Sequence, residues 1–557
     1  MNNVLNFFKS NSNANFLAIL TGLFVGTSYI PLPPWAVLFA YAPLWIAVHR
    51  LISNDSDAKE AKQSVSPQKP YHFYKKIFLA AWLSQVLLTL IGFNWIYYVS
   101  SEFGQLHWSL SLGALLLFAA FMHLYIPLST VVAAWLIRHF RIETTWVRFV
   151  MMALMLSFFE RLWPSIFEWN LAYTLLWAKI PLYQWADTVG FWGVSTWLLI
   201  TQAFFAEGFL LWPQKKRKAL EIMITTTAVL LFLTGLGYLK YQNWSKFDQT
   251  VQWGVAQGNI GNMDKIQSEQ ASQFHSYILN IYAQMTAKHY QDHPETEMMT
   301  WPETALPFAL DLPFLHNFEQ NQLLNLIQQW GRPLVTGGYS VDLRQHDHLG
   351  NLLTSNSVFF LGPNLKPFDE PYNKTDLLVF GEYMPFGETF PSLYKLLPFV
   401  GIYKKGPGPS LRTIQLRDKQ IKLGPQVCYE SLNPGFSRGL ARIGTQIIFN
   451  LTNDSWFGWW AEPFQHQIMT LARAIEVRRP LVRSTNTGIT SAILANGDLL
   501  QDSPINQSWT HTYPIRYLEN PPLTFYTNYG YLDSLVWILF LFALIFIYRG
   551  KNKDVYH

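Results

Sequence analysis

The stretch IKLGPQVCYES, residues 421–431, holds the only cysteine of a 557-residue chain and places a carboxylate, Glu430, two positions beyond it. Its start is apolar and β-prone, and polar Glu430 and Ser431 follow the thiol at once. It therefore reads as a strand running into a turn that presents Cys428 at the rim of a sheet. A lone cysteine has no internal disulfide partner, which leaves it either a small buried hydrophobe or a working thiol. Metal binding is another use of cysteine, but there is no second cysteine, and the histidines, including His346 and His348, show no helix-spaced ligand set. No metal and no cofactor are expected.

The flanking sequence has the same grammar. VQWGVAQGNI (251–260), PLVTGGYS (333–340), SNSVFFLG (355–362), TQIIFNLTND (445–454) and GITSAILANGD (488–498) are short β-rich runs. They alternate with helix-like stretches at 268–290 and 462–479, the pattern of an α/β domain with strands buried on both faces. Residues 245–525 form this domain.

The rest of the chain belongs to lipid. Half of all residues are hydrophobic and 16% aromatic against 14% charged, too apolar for an ordinary soluble protein. Ser10 to Val48 carries no Asp, Glu, Lys or Arg and is broken only by PLPP at 31–34, so it reads as two spans, an anchor rather than a removed signal peptide. Further candidate spans are 77–99, 107–137, 146–164, 189–212, 220–239 and 532–548, a total of about eight transmembrane helices. Residues 1–244 hold about seven of them and 526–557 the last, with a short tail. Arg50, Lys59, Lys62, Lys69, Lys75 and Lys76 follow the second span; Arg138, Arg141 and Arg148 the fourth; QKKRK (214–218) the sixth; Arg549, Lys551 and Lys553 the eighth. Basic residues accumulate in cytoplasmic loops, so both termini are expected inside and 245–525 outside the cytoplasmic membrane. The net charge of +5 sits on those inner loops and implies no nucleic-acid partner.

A nucleophilic cysteine needs a proton acceptor and a positive neighbour, because the thiolate attacks and a free thiol titrates near about 8.5. MMTWPETALPF (298–308) supplies Glu303 after a β-type run, and EPYNKTDLLVFGEYMPFGE (370–388) supplies Lys374 and Glu382. Singly, each has a plainer reading: a glutamate after proline suits a helix N-terminus, and a loop lysine is solvated. The order Glu303, Lys374, Cys428 resembles the Glu-Lys-Cys triad of the carbon-nitrogen hydrolase (nitrilase) superfamily. With the membrane helices, the motifs QGNI (257–260), WPETALP (301–307), FGEYMPF (380–386), CYE (428–430), NDSWFG (453–458) and RRPLVRSTNTGIT (478–490) resemble the bacterial apolipoprotein N-acyltransferase family over nearly the whole chain.

The resemblance implies an αββα sandwich beside the helical bundle and acyl transfer from a phospholipid, through a Cys thioester, to the α-amine of a diacylglyceryl-modified apolipoprotein. It implies Cys428 as nucleophile, Glu303 as base and Lys374 as the stabilising charge, with Glu382, Tyr429 and Glu430 as supports that orient Lys374 and brace the turn. SWFGWW (455–460) brings Trp456, Phe457, Trp459 and Trp460 together as a loop for headgroups or an acyl entrance, which Glu160 and Arg161, near the outer end of the fifth span, are expected to floor. A monomer is expected. Two positions depart from the family pattern: Ile266 where a tryptophan is usual, and Leu378-Val379 without the proline that usually precedes FGE. A membrane-tethered amidase using the same triad and a non-catalytic scaffold are the alternatives. A membrane-impermeant biotin reagent or protease applied to spheroplasts should reach residues 245–525 and miss 52–75; the reverse pattern would overturn the topology.

Overall fold

The computed structural model describes residues 14–60, 70–165, 167–261, 273–312, 317–347, 350–363, 370–396 and 400–551. Lys62, Lys69, Ile266, His348 and Lys553 lie outside the described residues.

Charge-poor sequence makes the first half helical: α1 (Ala14–Gly26), α2 (Ala42–Glu60), α3 (Pro70–Gly92), α4 (Trp108–Phe121), α5 (Tyr125–His139), α6 (Thr145–Leu162), α7 (Ala186–Leu211) and α8 (Lys216–Asn243). Among the described residues five helical stretches are long and apolar enough to cross a membrane: Tyr71–Gly92, Trp108–His139, Pro181–Leu211, Lys216–Asn243 and Phe525–Tyr548. The expected second span differs. Residues 31–41 form successive turns and helix begins only at Ala42, because Pro31, Pro33 and Pro34 remove backbone donors. The long 107–137 stretch is interrupted at 122–124, which puts Pro127 in the first turn of α5, where a missing N–H breaks no helical bond.

The α/β domain follows from two-residue periodicity. In SNSVFFLG, Val358 and Phe360 enter one apolar cluster while Phe359 and Leu361 enter another, so the strand is covered on both faces. One sheet is ordered β12 (Trp509–Tyr517), β1 (Gln249–Gln257), β2 (Met298–Thr300), β4 (Leu334–His346), β5 (Leu352–Leu361), β6 (Tyr372–Asn373), with β3 (Leu306–Ala309) also on β4. The other is ordered β11 (Ser491–Ile493), β10 (Leu481–Thr485), β9 (Ile447–Thr452), β8 (Gln420–Val427), β7 (Arg412–Gln415). Trp253 and Phe360 both meet Phe449 with ring centroids 6.0 Å apart, which joins the sheets face to face. Helices α9 (Gln273–Asp292) and α10 (Asn317–Trp330) cover the first sheet; α11 (Pro434–Arg442) and α12 (Glu462–Val477) cover the second. The layering is αββα. A last helix, α13 (Asp533–Lys551), returns to pack on α6.

α12 is buried along nearly its whole length, polar residues included, because it lies between the second sheet and the bundle. Gln465 Nε2 donates to the carbonyls of Ile30 (2.8 Å) and Gly92 (2.9 Å), and Arg473 Nη2 donates to the Tyr173 hydroxyl (2.7 Å). Gly190, at φ +70°, breaks the start of α7 and frees the Phe191 N–H to reach Glu476 Oε1 at 3.0 Å. Just past α12, Arg478 is fully buried and bonds Asp187 at 2.8 Å, a carboxylate that Lys240 also meets at 2.8 Å. These contacts hold the α/β domain on one end of the bundle. The basic loops gather at the other, where Arg148 bonds Ser53 at 3.0 Å and Arg138 lies over Phe73 at 4.2 Å.

Removing one partner of a buried ion pair strands the other, at about 3–5 kcal/mol. Asp187→Ala should therefore lower the melting temperature of the purified protein by several degrees; an unchanged melting curve would show that this pair does not hold the two parts together.

Candidate active site

Cys428 sits where β8 ends. Val427 is the last strand residue, and Cys428 opens a 3₁₀ turn (Cys428–Leu432) with φ +50°, a conformation strained for a side chain with a Cβ by about 1–3 kcal/mol. Glu430 holds that turn. Its Oε2 accepts from the Val427 N–H at 2.7 Å; its Oε1 accepts from the Tyr372 hydroxyl at 2.6 Å and from the N–H groups of Thr375 and Asp376. The Cys428 carbonyl accepts from Ser431 Oγ (2.9 Å) and Asn450 Nδ2 (3.1 Å). Glu430 thus ties the cysteine turn to the segment carrying Lys374. Burial pushes its carboxyl up to about 7, against the lowering pull of the Tyr372 hydroxyl and the Thr375 and Val427 N–H groups.

Glu303 follows β2. Trp301, fully buried and stacked on Tyr282 at 5.1 Å, anchors the turn that turns Glu303 inward. Gly337 lets that turn approach: a Cβ there would lie 2.5 Å from the Thr304 nitrogen. Lys374 follows β6 and is 1% exposed. Its Nζ meets Glu382 at 2.8 Å and Glu303 at 3.5 Å. Asn356 Nδ2 bridges the two carboxylates, at 2.7 Å from Glu303 Oε1 and 3.0 Å from Glu382 Oε1, and Glu382 Oε2 accepts from the Leu378 N–H at 2.9 Å. Burial opposes the ammonium charge, but Glu382 and Glu303 outweigh it and hold the Lys374 pKa well above the usual value. Burial, and after it the Glu303 carboxylate, push the Cys428 thiol well up, while Lys374 and the Thr452 hydroxyl pull it back. The resting site therefore holds a neutral thiol beside one ammonium and two carboxylates.

The structure brings Glu303, Lys374, Cys428, Glu382 and Glu430 into one cluster. Tyr429 points toward the bundle, its ring 6.4 Å from that of Phe167. SWFGWW divides at Gly458, which has φ +81°: Phe457 packs on Trp95 (5.6 Å) and Phe167 (6.2 Å) and Trp456 is half-buried, while Trp459 and Trp460 are 65% and 43% exposed. Glu160 and Arg161 take different partners. The Tyr125 hydroxyl donates to Glu160 at 3.4 Å, whereas Arg161 pairs with Asp533 of α13 and donates to Thr196 at 2.9 Å. Both line a cavity of about 270 Å³ between α6, α13 and the start of α11, together with Glu168, Asn433, Arg438 and Tyr526.

Two residues of the cluster escape a sequence reading. Asn356 lies inside SNSVFFLG, where nothing distinguishes it from other strand polars, and Thr452 ends TQIIFNLT. A third feature corrects the expectation of no helix-spaced ligand set: Glu462 and His466, four apart on α12, come together with Asp454, the group of three metal-capable side chains found among the described residues. A cation is already there. Arg483 Nη2 donates to Asp454 Oδ2 at 2.8 Å while His466 Nδ1 meets Oδ1 at 3.0 Å, so an arginine satisfies the carboxylate a metal would need.

A buried thiol, a lysine between two carboxylates and an αββα sandwich seated on membrane helices define a carbon-nitrogen hydrolase domain on a membrane bundle. The comparisons agree: residues 253–515 match the carbon-nitrogen hydrolase family and residues 21–204 the apolipoprotein N-acyltransferase N-terminal domain. The chain is 45% identical over 541 residues to an apolipoprotein N-acyltransferase of Bdellovibrio bacteriovorus, covering 97% of this chain and 94% of that one. It is 26% identical to that of Geobacter metallireducens over 97% and 96% of the two chains. The chain belongs to the apolipoprotein N-acyltransferase family.

The geometry separates two substitutions within the cluster. Glu303→Gln keeps the Lys374–Glu382 pair and should shift the melting temperature little. Lys374→Met leaves two buried carboxylates facing each other, whose pKa values must rise. A group raised in the folded state stabilises below its unfolded pKa and loses that stability as pH climbs. Lys374→Met should therefore be destabilised at neutral pH and recover as pH falls through the carboxylate range; a pH-independent deficit would contradict the buried charge balance.

Proposed function

We propose that the protein transfers a fatty acyl chain from a phospholipid, through a thioester on Cys428, to the N-terminal α-amine of diacylglyceryl-cysteine in apolipoproteins. The carrying observation is the charge arrangement. Moving the thiol proton to Glu303 leaves the net charge of the Glu303, Glu382, Lys374 and Cys428 cluster unchanged, so a thiolate forms without adding charge to a buried site. The sulfur then attacks the ester carbonyl carbon, and Lys374 Nζ stabilises the developing oxyanion. The carbon–oxygen bond to glycerol breaks, Glu303 returns its proton to the departing alkoxide, and lysophospholipid leaves. In the second half the α-amine attacks the thioester, Glu303 accepts an amine proton, the carbon–sulfur bond breaks, and the sulfur takes the proton back.

Glu382 holds Lys374, Glu430 braces the turn and Tyr429 joins the site to the bundle. Bringing the site to the bilayer spares a large cost. An acyl chain of about 15 methylenes drawn out of lipid would lose about 12 kcal/mol at about 0.8 kcal/mol per methylene. Trp459 and Trp460, exposed at the loop tip, reach the headgroup layer, and the cavity holding Glu160 and Arg161 floors the entrance. The domain works on the outer side of the inner membrane, opposite the basic loops, as a monomer.

Purified protein given phospholipid but no acceptor should stall after the first half-reaction. Intact-protein mass spectrometry should show one added acyl chain, mapped to the Cys428 peptide, released by neutral hydroxylamine and absent in Cys428→Ala. A diacylated lipopeptide with a free amine should discharge it; one with an acetylated amine should not. An unmodified chain while lysophospholipid accumulates would overturn the covalent mechanism, and discharge without a lipopeptide would make the protein a hydrolase.

A further inference from the structure

The acid and cation of the cluster approach Cys428 from the first sheet, but the cysteine also has a neighbour on its own sheet. β8 and β9 run parallel with Val427 opposite Leu451, so Cys428 and Thr452 stand side by side at the ends of adjacent strands. Thr452 is fully buried, and its Oγ1 lies 3.4 Å from Asp454 Oδ1, a long bond for a hydroxyl. Asp454 does not depend on that bond. Arg483 at 2.8 Å and His466 at 3.0 Å already satisfy it, and although burial opposes its charge, these two, ahead of the Thr452 hydroxyl, hold its pKa below the usual carboxylate value.

We propose that the Thr452 hydroxyl is a catalytic donor to the Cys428 thiolate, a single proton shared between the Asp454 carboxylate and the sulfur. With a neutral thiol the hydroxyl points at Asp454. When the thiol proton moves to Glu303, the hydroxyl turns to Sγ and donates to the new anion, and Asp454 keeps Arg483 and His466. No bond between heavy atoms changes and no charge is added; one hydrogen bond changes acceptor. The Thr452 hydroxyl draws the Cys428 pKa down in the same sense as Lys374. Lys374 serves the oxyanion as well as the sulfur, so a neutral donor on the far side keeps the thiolate solvated when the ammonium turns to the carbonyl oxygen. The inference rests on Cys428 being the nucleophile. It adds a residue beyond the Glu303, Lys374 and Cys428 set.

Cys428 is the only cysteine, so alkylation by iodoacetamide reports its thiolate directly in the purified full-length protein, with no lipid substrate. The charged and titratable groups facing it are Glu303 and Lys374 beyond β2 and β6, Glu382 in the following loop, the adjacent Tyr429, and His466 of α12, which acts through the Cys428 carbonyl. None of these is altered by Thr452→Val, which swaps a hydroxyl for a methyl of like shape. The midpoint of the alkylation–pH profile should move up by about one unit in Thr452→Val, with the rate below it down about tenfold, and should return in Thr452→Ser. If Val folds poorly, Thr452→Ala gives the same midpoint shift. A midpoint unmoved in Val or Ala, with rates lowered evenly across pH, would overturn the proposal by making Thr452 a packing residue. Serine behaving like valine would overturn it too. Because alkylation needs no acyl donor, these outcomes stay distinct from failure to form an acyl-enzyme.

Discussion

One buried ammonium governs this molecule. Lys374 is removed from water almost completely, an arrangement tolerable only because Glu382 and Glu303 stand within 2.8 and 3.5 Å of it. Asn356 then becomes necessary, since two carboxylates around one cation leave an excess charge that its amide must share. Glu430 becomes necessary in turn: it fixes the backbone beyond Lys374 to the turn presenting Cys428, so cation and sulfur cannot drift apart. Strain at the φ +50° cysteine is held by a carboxylate with four donors, not by the sequence of the turn itself.

The same logic runs through the junction with the bundle. An apolar interface would let the α/β domain slide over the helix ends, because hydrophobic contact is non-directional. Here α12 meets the bundle through Gln465, Arg473 and Glu476, each bonded to a particular backbone or hydroxyl partner, and Arg478 locks onto Asp187 beyond it. Directional bonds fix the register between the rim that carries Cys428 and the helix ends. Tyr429, Phe167, Phe457 and Trp95 then form a continuous aromatic wall from the cysteine turn to the end of α3.

The sequence makes some of this legible and hides the rest for physical reasons. Cys428 and Glu303 each follow a strand whose apolar run stops there, but Lys374 follows only the two-residue β6 and reads singly as a loop lysine, so it is the order Glu303, Lys374, Cys428, through its resemblance to a Glu-Lys-Cys triad, that makes the cluster legible. The helix at 462–477 shows a polar face that looks solvated, yet that face is buried, because its polar groups find partners in residues hundreds of positions away. Asn356 and Thr452 sit inside ordinary strands, where only the cross-sheet approach of another element gives them meaning. Glu160 and Arg161 are adjacent in sequence yet take different partners, because i and i+1 on a helix face apart, and the ion pair of Arg161 is with Asp533 from the last helix. Pro31, Pro33 and Pro34 delayed the second helix further than a tight turn requires, since three lost donors rule out regular bonding across the segment.

On the proposed mechanism, burial of Cys428 has two opposite consequences, and the charge cluster reconciles them. Removing Cys428 from water raises the thiol pKa and would by itself leave the nucleophile dormant. The same dryness protects a thioester, whose competing fate is hydrolysis, during the interval in which one lipid leaves and another arrives. An exposed low-pKa thiol would attack readily and then lose its acyl chain to water. A buried thiol whose proton can pass to Glu303 without changing the local charge keeps both properties: it ionises only when the proton has that acceptor, and once acylated it presents a neutral group in a site closed to solvent. In the proposed mechanism the tension between reactivity and protection is thus resolved by proton position, not by exposure, and the carboxylate beyond the one that the single ammonium needs for pairing has a use as the proton's acceptor.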